Sequence, residues 1–179
     1  MIWLNEPSKW TAEGDSLSLN TDPKTDFWRK THYGFIRDNG HFFYETVSGE
    51  FVVETEFEGN FHALYDQAGL MIRADETTWL KTGIEFVDRV QYVSAVVTRD
   101  YSDWSVVKLS TPIRSLRLRA TQKGGSIMIE YDTGTGVWTM LRTTFLSSAP
   151  VLQVGCMAAS PDGPGFDVQF HKFSITQPA

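Results

Sequence analysis

No stretch of this 179-residue sequence approaches the roughly 20 consecutive apolar residues that a membrane-spanning helix needs. The first residues, MIWLNEPSKW, have neither the basic start nor the apolar run of a secretory leader. Cys156 is the only cysteine, which excludes an internal disulfide and suits a reducing compartment. It sits in the apolar run VLQVGCMAA with no base beside it, so it reads as a small buried hydrophobe rather than a nucleophile. Positive charge is scarce too. With 16 Lys and Arg against 22 Asp and Glu, the formal charge is −6, which leaves no electrostatic footprint for nucleic acid or an anionic membrane surface. Glycosylation sequons, repeats, low-complexity tracts and linkers are also lacking. The expectation is a single cytoplasmic domain over residues 1–179, with no nucleic-acid and no membrane partner.

Helical periodicity is the last absence, and short β-rich segments stand in its place. YDQAGLMIR, WLKTGIEFV and VQYVSAVVTR are rich in β-branched, aromatic and aliphatic residues, and polar turns separate them, so they pair as an antiparallel meander. Further strands are expected around 17–20 and in HFFYE, GEFVVETEFEG, SVVKL, IRSLRLRAT, SIMIEYD, VWTMLRTTF, PVLQVGCMAA and GFDVQFHKFSI. Asp38-Asn39-Gly40 reads as a tight turn built on positive φ, and the Gly-Gly at 124 and 125 as another. TDPKTDFWRKTHYGF reads as an irregular approach able to carry side chains into a site. A dozen strands without a helix imply an all-β fold, either a two-sheet sandwich or a barrel.

Alternation places Gln67, Gly69, Met71 and Arg73 on one face of their strand, and Trp79, Lys81, Gly83 and Glu85 on one face of the next. The opposite faces carry Leu70 and Ile72, then Leu80, Ile84 and Phe86, and suit a core. A face with Gln, Arg, Trp, Lys and Glu is laid out like a binding surface. Sugar rings need an aromatic platform beside groups that satisfy hydroxyls. Trp28, Trp79 and Trp104 are the candidate platforms, although a Trp in a sandwich is more often a core residue, so the cluster carries more than any one member. Gln67, Arg73, Lys81, Glu85 and Asp103 are the candidate hydrogen-bonding partners. His32, in THYGF, could add a cation beside Arg73 and Lys81 for an anionic sugar or a small carboxylate. Arg73, Lys81 and Glu85 are also expected to pair across the sheet.

Enzyme and cofactor signals are weaker. Glu54, Glu56 and Glu58 alternate along one strand face, which reads as a solvated outer strand, and Glu85 with Asp103 is the better candidate for a catalytic carboxylate pair. His41, His62 and His171 have no metal-ligand spacing. Asp100, Asp103 and Asp162 could offer oxygens to a structural calcium, but no ordered calcium-loop motif is present, so no cofactor is expected.

The run YDQAGLMIRADETTWLKTGIEFVD, with DYSDWS after it, DFWRKTHYGF before it and SPDGPGFDVQF later, resembles the regulation-of-enolase family, a domain of unknown function numbered 1349. The resemblance implies a concanavalin A-like lectin/glucanase jelly roll with one concave sheet and brings no established reaction. On it rest three readings: a lectin-like domain binding a carbohydrate or other small polar ligand, a glycoside hydrolase, and a protein-interaction module whose partner the family's name suggests is a metabolic enzyme.

Overall fold

The computed structural model describes residues 1–178 and contains, among them, sixteen strands and no helix. Numbered in chain order, one seven-stranded antiparallel sheet runs β1 (Ile2–Leu4), β6 (His41–Ser48), β15 (Val151–Ala159), β8 (Gln67–Asp75), β9 (Thr78–Val87), β10 (Val90–Arg99) and β11 (Tyr101–Lys108). The other runs β14 (Thr139–Phe145), β13 (Ser126–Asp132), β12 (Ser115–Lys123), β7 (Phe51–Gly59), β16 (Asp167–Thr176), β3 (Ser16–Asn20) and β2 (Lys9–Glu13). The two pack as a sandwich, the all-β, lectin-type architecture that the strand pattern and the resemblance imply. No helix among the described residues is long and apolar enough to cross a membrane.

The principal core lies between the sheets. Leu70, Ile72, Leu80, Ile84, Val93, Ala95 and Val97 meet Val53, Phe57, Leu118, Ile129 and Phe170, all buried. Strand β7 alternates buried and half-buried residues, as a strand with one wet face should, and its Glu54, Glu56 and Glu58 point outward to Arg119, Lys172 and Arg114. In β8 and β9, by contrast, residues 67–73 and 79–85 are buried without a break. Something covers their outer face.

The cover is a two-stranded ribbon, β4 (Phe27–Arg29) paired with β5 (Ile36–Asp38), in the stretch expected to be irregular. It brings Phe27 and Trp28 onto Phe42, Met71, Trp79, Val96 and Met157, so the outer face of the first sheet carries a second hydrophobic core. Polar bonds fix the ribbon in place. Arg73 holds Asp38 with two parallel bonds of 2.6 and 2.9 Å, Arg29 reaches Asp100 at 2.9 Å, and Lys81 donates to the Phe27 carbonyl at 2.6 Å.

The segment joining β5 to β6 departs from the expected turn. Asn39 and Gly40 are not among the residues with positive φ, and both donate their backbone N–H to the Asp26 carbonyl, at 3.0 and 2.9 Å. Gly40 is required by close approach instead, because a Cβ there would lie 2.4 Å from the Phe27 ring. The Gly124-Gly125 turn does take positive φ, 57° and 81°, between β12 and β13.

Candidate functional site

Between the ribbon and the sheet, a pocket of about 200 Å³ is lined by Gln67, Lys81, Glu85 and Trp104 from the sheet, Trp28 and Arg37 from the ribbon, and Tyr33, Tyr65 and Asp162 from adjoining loops. Register explains the sheet's share. Gln67 lies opposite Glu85 and Met71 opposite Lys81 across β8 and β9, while Trp104, opposite Val96 across β10 and β11, falls on the same outer face.

The polar floor has two parts. In the first, the Lys81 ammonium donates to the Phe27 carbonyl (2.6 Å), Gln67 Oε1 (2.6 Å) and Asp26 Oδ1 (3.2 Å), which uses all three of its protons. Asp26 Oδ1 also accepts from Gln67 Nε2 at 3.3 Å and from the Phe27 N–H at 2.8 Å. Lys81 is therefore a structural clamp between ribbon and sheet.

The second part is Glu85, 7% exposed, whose Oε2 accepts from Ser94 Oγ at 2.7 Å and from the Trp104 indole N–H at 2.8 Å. No cation pairs with it among the described residues. Its Oε1 accepts no hydrogen bond from them either and is not among the sealed polar atoms, and Glu85 lines the pocket. Burial pushes the Glu85 carboxyl up, against the lowering pull of the Lys81 charge and of the two hydrogen bonds. A carboxyl raised in the folded state favours folding below its ordinary value of 4.5, and that contribution is lost as pH rises through the folded value. Glu85→Gln, whose amide oxygen can still accept from Ser94 and Trp104, is thus expected to stabilise the unliganded protein at neutral pH by about 1–3 kcal/mol. The gain should vanish below about pH 4.5, and melting curves across pH check it. A variant less stable than the parent at every pH would contradict it.

The walls are aromatic. Trp28 meets Tyr33 at 5.6 Å and 72°, Trp104 at 6.4 Å and 90°; Trp104 meets Tyr65 at 6.4 Å and 77°. A 3.0 Å hydrogen bond between the Tyr33 and Tyr65 hydroxyls closes the circuit. The rings therefore form a four-sided box. That hydroxyl pair, with burial, pushes Tyr65 up to about 12, so Tyr65 keeps its proton in the physiological range. Arg37 lies over the Phe35 ring at 4.5 Å, with no carboxylate paired to it among the described residues.

Of the nine residues singled out from sequence, Trp28, Gln67, Lys81, Glu85 and Trp104 line this pocket. The other four do not. Arg73 is 6% exposed and spent on Asp38. Trp79, fully buried, belongs to the second core under the ribbon. Asp103 lies opposite Val97, a residue of the principal core, so it is on the other face of the sheet from Glu85 and turns to Arg142 at 3.5 Å. Glu85 and Asp103 therefore cannot act as a catalytic pair. His32, exposed at φ 61°, packs edge-on against Tyr33 outside the pocket.

Cross-strand charge pairing is corrected as well. Arg73 and Lys81 find their carboxylates, Asp38 and Asp26, on or beside the ribbon rather than across the sheet. With both cations neutralised and His32 outside, the anionic-ligand reading loses its basis. Asp100, meanwhile, is held by Lys30 and Arg29, and no group of three His, Cys, Asp or Glu residues is placed to hold a metal ion among the described residues.

Asp26, Tyr33, Phe35, Arg37 and Tyr65 line the pocket without having been singled out. The signal available for Tyr65 was its position at the head of YDQAGL; the others depend on the ribbon fold. A larger depression of about 1000 Å³ on the second sheet is open and shallow, with polar residues such as Thr11, Ser18, Asn20 and Gln169 along it. It has no comparable closure of aromatic rings.

A family model described as a protein of unknown function (DUF1349) matches residues 3–178. The chain is 38% identical over 176 residues to Regulation of enolase protein 1 of Saccharomyces cerevisiae, covering 98% of this chain and 89% of that one. A crystal structure of a functionally unknown protein from Saccharomyces cerevisiae superposes with a TM-score of 0.95 at 38% identity, covering 99% of this chain and 96% of that one. The carbohydrate-binding module CBM66 from Bacillus subtilis superposes with a TM-score of 0.60 at 14% identity, over 98% of this chain and 95% of the module, a likeness of fold alone.

Proposed function

The chain belongs to the DUF1349 family, described as a protein of unknown function, and from that premise we propose that it is a small-molecule-binding protein that takes one sugar ring in the pocket under the β4–β5 ribbon. The observation that carries this reading is the box of Trp28, Tyr33, Tyr65 and Trp104 standing over a buried carboxylate with a free oxygen. Sugar C–H faces stack on indole and phenol rings, while Glu85 Oε1, the Asp162 carboxylate and the Arg37 guanidinium offer acceptors and donors to hydroxyls. A volume of about 200 Å³ is below that of drug-sized sites and suits one ring rather than a chain. The fold shared with a carbohydrate-binding module is consistent with this use. The site works as a receptor for its ligand in the cytoplasm; the carboxylate pair expected from sequence, Glu85 with Asp103, is not formed, since Asp103 faces away, and Asp26 is tied to Lys81.

A thermal-shift screen against neutral and charged monosaccharides tests the reading. One sugar at a hundred times its dissociation constant should add about 2.7 kcal/mol of apparent stability, and the shift should vanish in Trp104→Ala. Silence across the panel, or a shift that survives in Trp104→Ala, would count against the pocket as a sugar site.

A further inference from the structure

Glu85 is a buried carboxyl whose free oxygen no cation reaches. Its neighbours in the pocket make the charge imbalance sharper. Asp162 is also acidic, Lys81 is answered by Asp26 and has spent every proton on the protein, and Arg37, from the ribbon, is stacked on Phe35. A buried charge in a low-dielectric site calls for a partner charge. Four rings line the same pocket as Glu85, with Trp28–Tyr33, Trp28–Trp104 and Trp104–Tyr65 meeting at 72° to 90°, and the faces of such rings attract cations.

We propose, building on the sugar-site reading, that the preferred ligand is an amine-bearing sugar whose protonated nitrogen donates to Glu85 Oε1 inside the box of Trp28, Tyr33, Tyr65 and Trp104. The ring carbons stack on the indoles and the hydroxyls face Asp162 and Arg37. A neutral sugar satisfies the same walls but leaves the Glu85 charge answered only by a hydroxyl. A charge-assisted hydrogen bond is worth about twice a neutral one, so the amine should bind roughly ten- to a hundredfold more tightly than its neutral parent.

The test is calorimetric titration of the full chain with matched pairs, glucosamine with glucose, galactosamine with galactose, and 1-deoxynojirimycin with glucose, at a pH where the amines are protonated. Tetramethylammonium serves as a cation without hydroxyls. In at least one pair the amine should bind at least tenfold more tightly, and in Glu85→Gln the affinity ratio within that pair should fall to about one, whatever the change in the affinity for the neutral sugar; a ratio kept in the variant would overturn the inference. The unliganded melting temperature of the variant shows that it is folded. Equal affinity within every pair would overturn the amine inference and leave the sugar site standing. Binding of tetramethylammonium without any sugar, or of none of the probes, would overturn both.

Discussion

Trp79→Ala is expected to destabilise the protein by about 3–5 kcal/mol, a fall in melting temperature of roughly 2–4 °C for each kcal/mol. Trp79 is fully buried, meets the Phe27 ring edge-on at 6.1 Å, and carries the Lys81 ammonium 5.8 Å from its ring centroid. Removing it opens a void beneath the ribbon at the place where ribbon and sheet are joined. Trp104→Ala is the comparison. Trp104 is 36% exposed on the edge strand β11 and loses mainly its edge contacts and its bond to Glu85, at a cost of about 1–2 kcal/mol. The pair thus separates folding from binding: Trp79→Ala should lose stability, Trp104→Ala should lose ligand. Denaturant unfolding of both variants checks the contrast, and equal stability losses would contradict the assignment of Trp79 to the core and Trp104 to the pocket wall.

Lys81→Met should be nearly as damaging. The methionine fits the space, but the substitution strands the Asp26 carboxylate, whose side chain is only 11% exposed, and leaves the Phe27 carbonyl and Gln67 Oε1 without their donor. Breaking one side of a buried ion pair costs about 3–5 kcal/mol. The double variant Lys81→Met with Asp26→Asn removes the stranded charge and should recover part of the loss, so the two changes should not add. Additive losses would mean that Lys81 and Asp26 do not act as a unit.

The sandwich was legible in the sequence because its rules are local. Alternation in β7, β12 and β16 separates an apolar from a polar set within each strand, and the Gly124-Gly125 turn marks its hairpin through φ. The same alternation correctly grouped Trp79, Lys81 and Glu85 on one face of β9. It could not say which part of that face is open. The answer depends on a ribbon of two three-residue strands whose partners lie on the sheet beneath it, and FWR or IRD alone carries no strand signal. Hence Trp79 and Trp104, alike by pattern, part company: one lies under the ribbon and the other beside it. Lys81 and Arg73 look like ligand-binding cations in the sequence, because the carboxylates that consume them, Asp26 and Asp38, are 55 and 35 residues away. Gly40, read as a turn former, is instead the space into which the Phe27 ring fits.

Six tryptophans make the pocket's occupancy directly observable. The decisive measurement is a nitrogen–proton NMR titration of the indole N–H signals with the sugar that gives the largest thermal shift. Trp28 and Trp104, which line the pocket, should move together and saturate at one dissociation constant, while Trp3, Trp10 and Trp138, all remote from it, and Trp79, sealed in the second core, should stay in place. Movement of Trp10, beside the open depression on the second sheet, with Trp28 and Trp104 unchanged, would place the ligand elsewhere and contradict the account.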